Sequence, residues 1–139
     1  MDGVAAIRQL LAADAQVTAL VPASGVIPPR LVAGTLPQGV ALPALSIVEI
    51  SLTDFNIPAP GATRHVQARI QVTGAAKDYP SLRALMRKVK HACADTFPVV
   101  TGITNVTVHA AGVGPDMFDE EAAIVFKSQD FMVGYNEPT

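Results

Sequence analysis

The sequence predicts an α+β fold in one domain: an antiparallel sheet of about four strands, with an N-terminal helix and one long helix (about 79–95) packed on it. Three observations carry this prediction. Apolar residues recur at helical spacing in two separate segments, they alternate at period two in others, and strand-like and helix-like segments follow one another without a long polar linker. At 139 residues the chain has the size of one domain able to bury its own core. With half its residues hydrophobic and 16% charged, it falls outside the composition of disordered chains.

Residues 2–13 place Val4, Ile7, Leu10 and Leu11 on one helical face, with Asp2 available as the N-cap. Asp14 can cap a further short turn carrying Val17, Leu20 and Val21, which Pro22 stops. Residues 22–43 hold five prolines and three glycines, too many for a helix interior or a central strand, and leave room for one edge strand around residues 31–33. Residues 44–52 read as a strand with Ser46, Val48, Ile50 and Leu52 on one face. In 65–73 the alternation is cleaner: Val66, Ala68, Ile70 and Val72 face a core, and His65, Gln67, Arg69, Gln71 and Thr73 face water or a partner. The connection between these strands, residues 53–63 (TDFNIPAPGAT), is much longer than a simple hairpin turn requires, which suggests contact or mobility.

Asp78 caps the best helix, with Pro80 in its first turn and Leu82, Leu85, Met86, Val89 and Cys93 along one face; Arg83, Arg87, Lys88, Lys90 and His91 take the rest. A third strand over 103–110 turns Val106 and Val108 inward, and a turn-rich acidic loop covers 112–121. The last stretch, 122–135, is long for a strand, and its apolar face shifts between Phe126 and Phe131, for which a bulge near Ser128 is the predicted cause.

The residues offer little catalytic chemistry. His65, His91 and His109 lie on three separate elements with no metal-ligand spacing. The single cysteine, Cys93, excludes an intramolecular disulfide and points to a reducing compartment; it falls on an apolar stripe, where a thiol behaves as a small hydrophobe. No nucleophile elbow, phosphate loop or dinucleotide fingerprint occurs, and the acidic residues 116–121 lack the calcium-loop pattern. No catalytic residue, cofactor or metal ligand is assigned. The longest uninterrupted apolar run is five residues, against the roughly 20 of a spanning helix, so no membrane role is expected, and no export signal is read at the N-terminus.

Charge is unevenly placed. Although the net charge is −2, residues 77–91 hold five basic side chains and one acidic, and residues 92–139 hold one basic and seven acidic. Opposite regions on one small domain can attract a second copy head to tail.

Taken together, the opening IRQLLAADAQVTALV, the proline-rich passage ending LPQGVALPALSIVEIS, the strand HVQARIQVTG, the helix DYPSLRALMRKVKHAC and the closing SQDFMVGYNE resemble the tail completion and tail terminator proteins of long-tailed bacteriophages and prophages, over roughly residues 4–137. The resemblance implies a subunit of a ring, usually a hexamer, at the head-proximal end of the tail tube. Such a ring stops tube polymerisation and meets the head connector, while DNA passes through its lumen without specific binding. Its partners would be itself, the tail tube protein and the connector, in the tail-neck region of a virion assembled in the host cytoplasm. On this reading Arg83, Arg87, Lys88 and Lys90 meet Asp116, Asp119, Glu120 and Glu121 at or near subunit contacts, and the loop bearing Asp54, Phe55, Asn56 and Ile57 orders on a partner. The competing readings are a small α+β enzyme or ligand-binding domain with a pocket, and another neck or head-closure protein.

Overall fold

A carboxylate starts each helix of the computed structural model, which describes residues 2–22, 29–36, 39–55, 63–121 and 123–138. Asp2 accepts from the Ala5 N–H at 2.9 Å and opens α1 (Gly3–Ala13). Asp14 ends α1 and opens α2 (Ala15–Leu20), its Oδ1 accepting from the N–H groups of Gln16 and Val17 at 2.9 and 3.0 Å. Asp78 accepts from the Ser81 N–H at 2.8 Å and opens α3 (Tyr79–Cys93), where Pro80 occupies the first turn. That bond favours the ionised carboxylate and holds Asp78 below its ordinary range. Removing the cap orphans helix N–H groups, so Asp78→Ala is expected to lower the urea midpoint. An unchanged midpoint would show that solvent replaces the cap. The helix stops at Cys93, short of the expected residue 95, because Ala94 is extended and Asp95 turns left-handed with φ of 55°.

The sheet has six strands, not about four, and it is mixed. Its order is β1 (Leu31–Ala33), β2 (Ala44–Asp54), β3 (Thr63–Ala76), β6 (Ile124–Pro138), β4 (Thr104–Val113), with β5 (Met117–Asp119) also pairing β6. The edge strand at 31–33 runs parallel to β2; every other pairing is antiparallel. Arg30 fixes its approach, donating from Nη2 to the Leu20 carbonyl at 2.9 Å and from Nε to the Pro43 carbonyl at 3.0 Å.

The helices lie against one face of the sheet, where α1 and α3 both meet β3 and β6. The face read from β3 is the core face: Val66, Ala68, Ile70 and Val72 are buried. Phe131, Val133 and Tyr135 of β6 and Val106 and Val108 of β4 continue it, beneath Ile7 and Leu11 of α1 and the five stripe residues of α3. At Gly74 the sheet passes so close under α3 that a Cβ would stand 2.5 Å from Met86 Sδ. On β3 the opposite face is polar, carrying His65, Gln67, Arg69, Gln71 and Thr73, consistent with a sheet that is wet on one side.

Two sequence readings are corrected. In β2 the core residues are Leu45 and Ile47, while Ile50 and Leu52 are exposed; a register shift between Glu49 and Ser51 breaks the alternation, so the apolar residues of this strand do not share one buried face. No bulge occurs at Ser128. Its strand pairs β3 in continuous register from Val125 to Pro138, and the bulges lie in β2 and β4. Phe126 and Phe131 are five residues apart, so strand parity puts them on opposite faces, and Phe126 pairs with Met117 of β5. Among the described residues no helix is long and apolar enough to cross a membrane.

Candidate subunit-contact site

Helix α3 turns its apolar stripe into the core, and the same periodicity sends its cations outward. Three of them, Arg83, Arg87 and Lys90, line an open cleft of about 650 Å³ between α3 and the β4/β6 side of the sheet. Met86, His91 and Asp95 also line it from the helix side, and Val113, Lys127 and Gln129 form the sheet wall. Lys88, half-buried, is not among the lining residues. Arg83, Arg87, Lys90 and Lys127 outnumber the two carboxylates at the cleft, Asp95 and the Asp116 that binds Lys127, which makes this a place for negative charge.

The acidic segment divides. Asp116 is engaged within its own chain: Tyr79 Oη donates to its Oδ2 at 2.8 Å and Lys127 Nζ to its Oδ1 at 2.9 Å. Those bonds, Lys127 first and then Tyr79, hold the Asp116 carboxyl below its ordinary range, and the Arg83 charge adds to them. Arg83 also sits over the Tyr79 ring at 5.7 Å. Asp116 therefore buttresses one end of the cleft. Asp119, Glu120 and Glu121 lie beyond it, at the tip of the β5–β6 hairpin, where Met117 and Phe118 are also exposed, the latter at 60%. Sequence reading picked out the acidic residues but not Phe118, whose signal was a large aromatic flanked by charge. It also missed Lys127, Gln129 and Val113, which only the strand pairing brings opposite α3.

The other expected contact segment lies at the β2–β3 end. Asp54 ends β2 and Phe55 is exposed, its ring 5.3 Å from that of His65, while Asn56 and Ile57 lie outside the described residues. His65 in turn bonds Asn136 Oδ1 through Nδ1 at 2.9 Å. His109 meets Asp95 at 3.3 Å, both side chains largely in solvent. Among the described residues no group of three His, Cys, Asp or Glu is placed to hold a metal.

Cys93 is wholly buried, and burial, with a smaller contribution from the Asp14 charge, pushes its thiol up to about 12. A thiol held neutral there is no nucleophile. Because the folded value is raised above the ordinary 9.0, the stabilisation is complete below pH 9 and is lost as pH climbs toward 12. The folded protein is expected to resist a thiol reagent at pH 8 until urea unfolds it, and urea midpoints are expected to fall above pH 9. Modification of Cys93 in the folded state would contradict this.

The family model described as tail completion protein gp17 matches residues 5–117, from α1 through the start of β5. The chain belongs to the tail completion gp17 family. It is accordingly a structural protein of a phage-type tail. No protein of curated function matches the sequence. Among solved structures, a chain from the virion of a native gene transfer agent particle has the same fold: TM-score 0.69 at 15% identity, covering 94% of this chain and 92% of that one. This family member carries its cleft-lining helix inside the matched segment, whereas residues 118–121 and the whole of β6 lie beyond it.

Proposed function

We propose that this tail completion protein ends the growth of the tail tube by closing into a ring on its head-proximal end. Six chains of 14.5 kDa would give an assembly of about 87 kDa. The outer surface of the ring receives the head connector, the other surface seats on tube protein, and DNA crosses the lumen without being held by sequence. The assembly forms in the host cytoplasm and stays at the tail neck of the virion.

The observation that carries the reading is the family match over residues 5–117. The gene transfer agent neighbour supports it, because its near end-to-end fold likeness is to a virion component. The charge layout agrees, with the basic face of α3 and the acidic residues 119–121 as the complementary surfaces between neighbouring subunits, Asp116 being engaged within its own chain. The β2–β3 end, where Asp54 and Phe55 are exposed, is assigned to the tube or the connector.

The test is to add purified protein to growing tail tubes. Expected are tubes that stop lengthening, each with one extra disc at a single end by electron microscopy. Tubes that elongate at an unchanged rate with protein in excess would refute the reading.

A further inference from the structure

The cleft beside α3 and the tip of the β5–β6 hairpin are complementary in charge and in apolar character, yet they do not meet within one chain. None of residues 117–121 lines the cleft. The hairpin cannot swing back to fill it, because β5 is paired to β6 from Met117 to Asp119 and the preceding Asp116 is tied to Tyr79 and Lys127. The subunit therefore carries a knob outside its own hole.

We propose that the cleft of one subunit receives residues 118–121 of a second copy of this chain, with Phe118 against Met86 and Val113 and with Glu120 and Glu121 among Arg83, Arg87 and Lys90. The proposal rests on the self-assembling reading above and names the contact that it requires. Two independent features favour a second copy. The cleft's excess of cations is opposite in charge to Glu120 and Glu121 of the hairpin. Its sheet wall also exposes an apolar side chain, Val113 at 55%, where the hairpin exposes Met117 and Phe118, and exposed apolar groups rimmed by charge mark protein contacts. Nucleic acid would use the cations and leave the apolar half unpaired. Because the donating and accepting surfaces differ, the contact is heterologous: each copy gives one hairpin and takes one, and rotation closes the series into a ring.

Four variants, and a fifth used in a mixing experiment, test it, with oligomer mass measured by light scattering over a range of protein concentrations, alone and with tail-tube ends present. Phe118→Ser and the pair Glu120→Lys/Glu121→Lys alter the hairpin; Arg87→Glu/Lys90→Glu alters the cleft; the fourth joins both reversals in one chain. Each of the first three is expected to need at least about tenfold more protein to assemble, with a thermal melt like that of the parent, and the joined reversal is expected to restore assembly at low salt. A hairpin-reversed chain mixed with a cleft-altered one carrying Arg87→Ser/Lys90→Ser retains one usable contact per pair and is expected to stop at two chains. Phe118→Ser, at an exposed site, keeps the test decisive should a charge reversal fail to fold.

If the parent assembles and the variants assemble equally well, the cleft assignment is wrong while the ring stands. A parent that stays monomeric at every concentration and at tube ends overturns both. Binding of a short DNA duplex that Arg87→Glu/Lys90→Glu abolishes, with assembly untouched, would reassign the cleft to nucleic acid.

Discussion

Phe131→Ala is expected to lower the free energy of unfolding by about 3–5 kcal/mol, the largest loss from any single side chain considered. The ring is fully buried in β6, the strand that lies between β3 and β4, and it pairs with Ile70 on one side and Ala110 on the other. Sheet wall and helix cover both converge on that position, so neither can collapse into the space without breaking strand register. Small domains hold only about 5–15 kcal/mol in all, so the variant should unfold at a markedly lower urea concentration and yield little soluble protein. Phe131→Leu, which keeps most of the volume, should recover much of the loss. A midpoint for Phe131→Ala within experimental error of the parent would mean that the β6 core does not govern stability.

The same strand shows which parts of the fold could be read from sequence. Local signals were legible: an Asp–x–Pro start with apolar residues at 82, 85, 86, 89 and 93 can hardly be anything but a one-sided helix, and the alternation of 65–73 names its own buried face. Non-local order was not. Nothing within residues 122–138 says that β6 inserts between β3 and β4, nor does a three-residue LVA announce a parallel partner in β2. The shift at Glu49/Ser51 defeated face assignment in β2 because both faces carry apolar residues there, so the period-two pattern had no polar phase to fix it. At the site, the cations of α3 were visible as a helical face, but the cleft exists only because Val113, Lys127 and Gln129 arrive from strands far along the chain. Asp116 illustrates the converse: grouped by sequence with its acidic neighbours, it is set apart by two hydrogen bonds to its own subunit.

The second large effect is expected on the uncovered face of the sheet. Arg69 of β3 pairs in register with Met132, and Asp130 with Gln71, so Arg69 and Asp130 are diagonal neighbours across the β3–β6 ladder. Arg69 donates from Nε and Nη2 to the single oxygen Oδ2 at 2.9 and 2.7 Å, while Oδ1 is buried and accepts no hydrogen bond from the described residues. The carboxylate side chain is 16% exposed and the guanidinium 42%, so solvent can compensate the arginine far better than the acid. Arg69→Met should thus cost roughly 2–3 kcal/mol, mostly from a largely hidden carboxylate left without its donors. Arg69→Met/Asp130→Leu should recover most of that, because two apolar side chains of similar reach remove the orphaned charge along with its partner. Equal losses in the single and double variants would show that the pair stabilises by packing alone. The distinction bears on solubility: if the double variant is stable but clumps, the polar pair is there to keep this face wet, a role that stability measurements alone would not reveal.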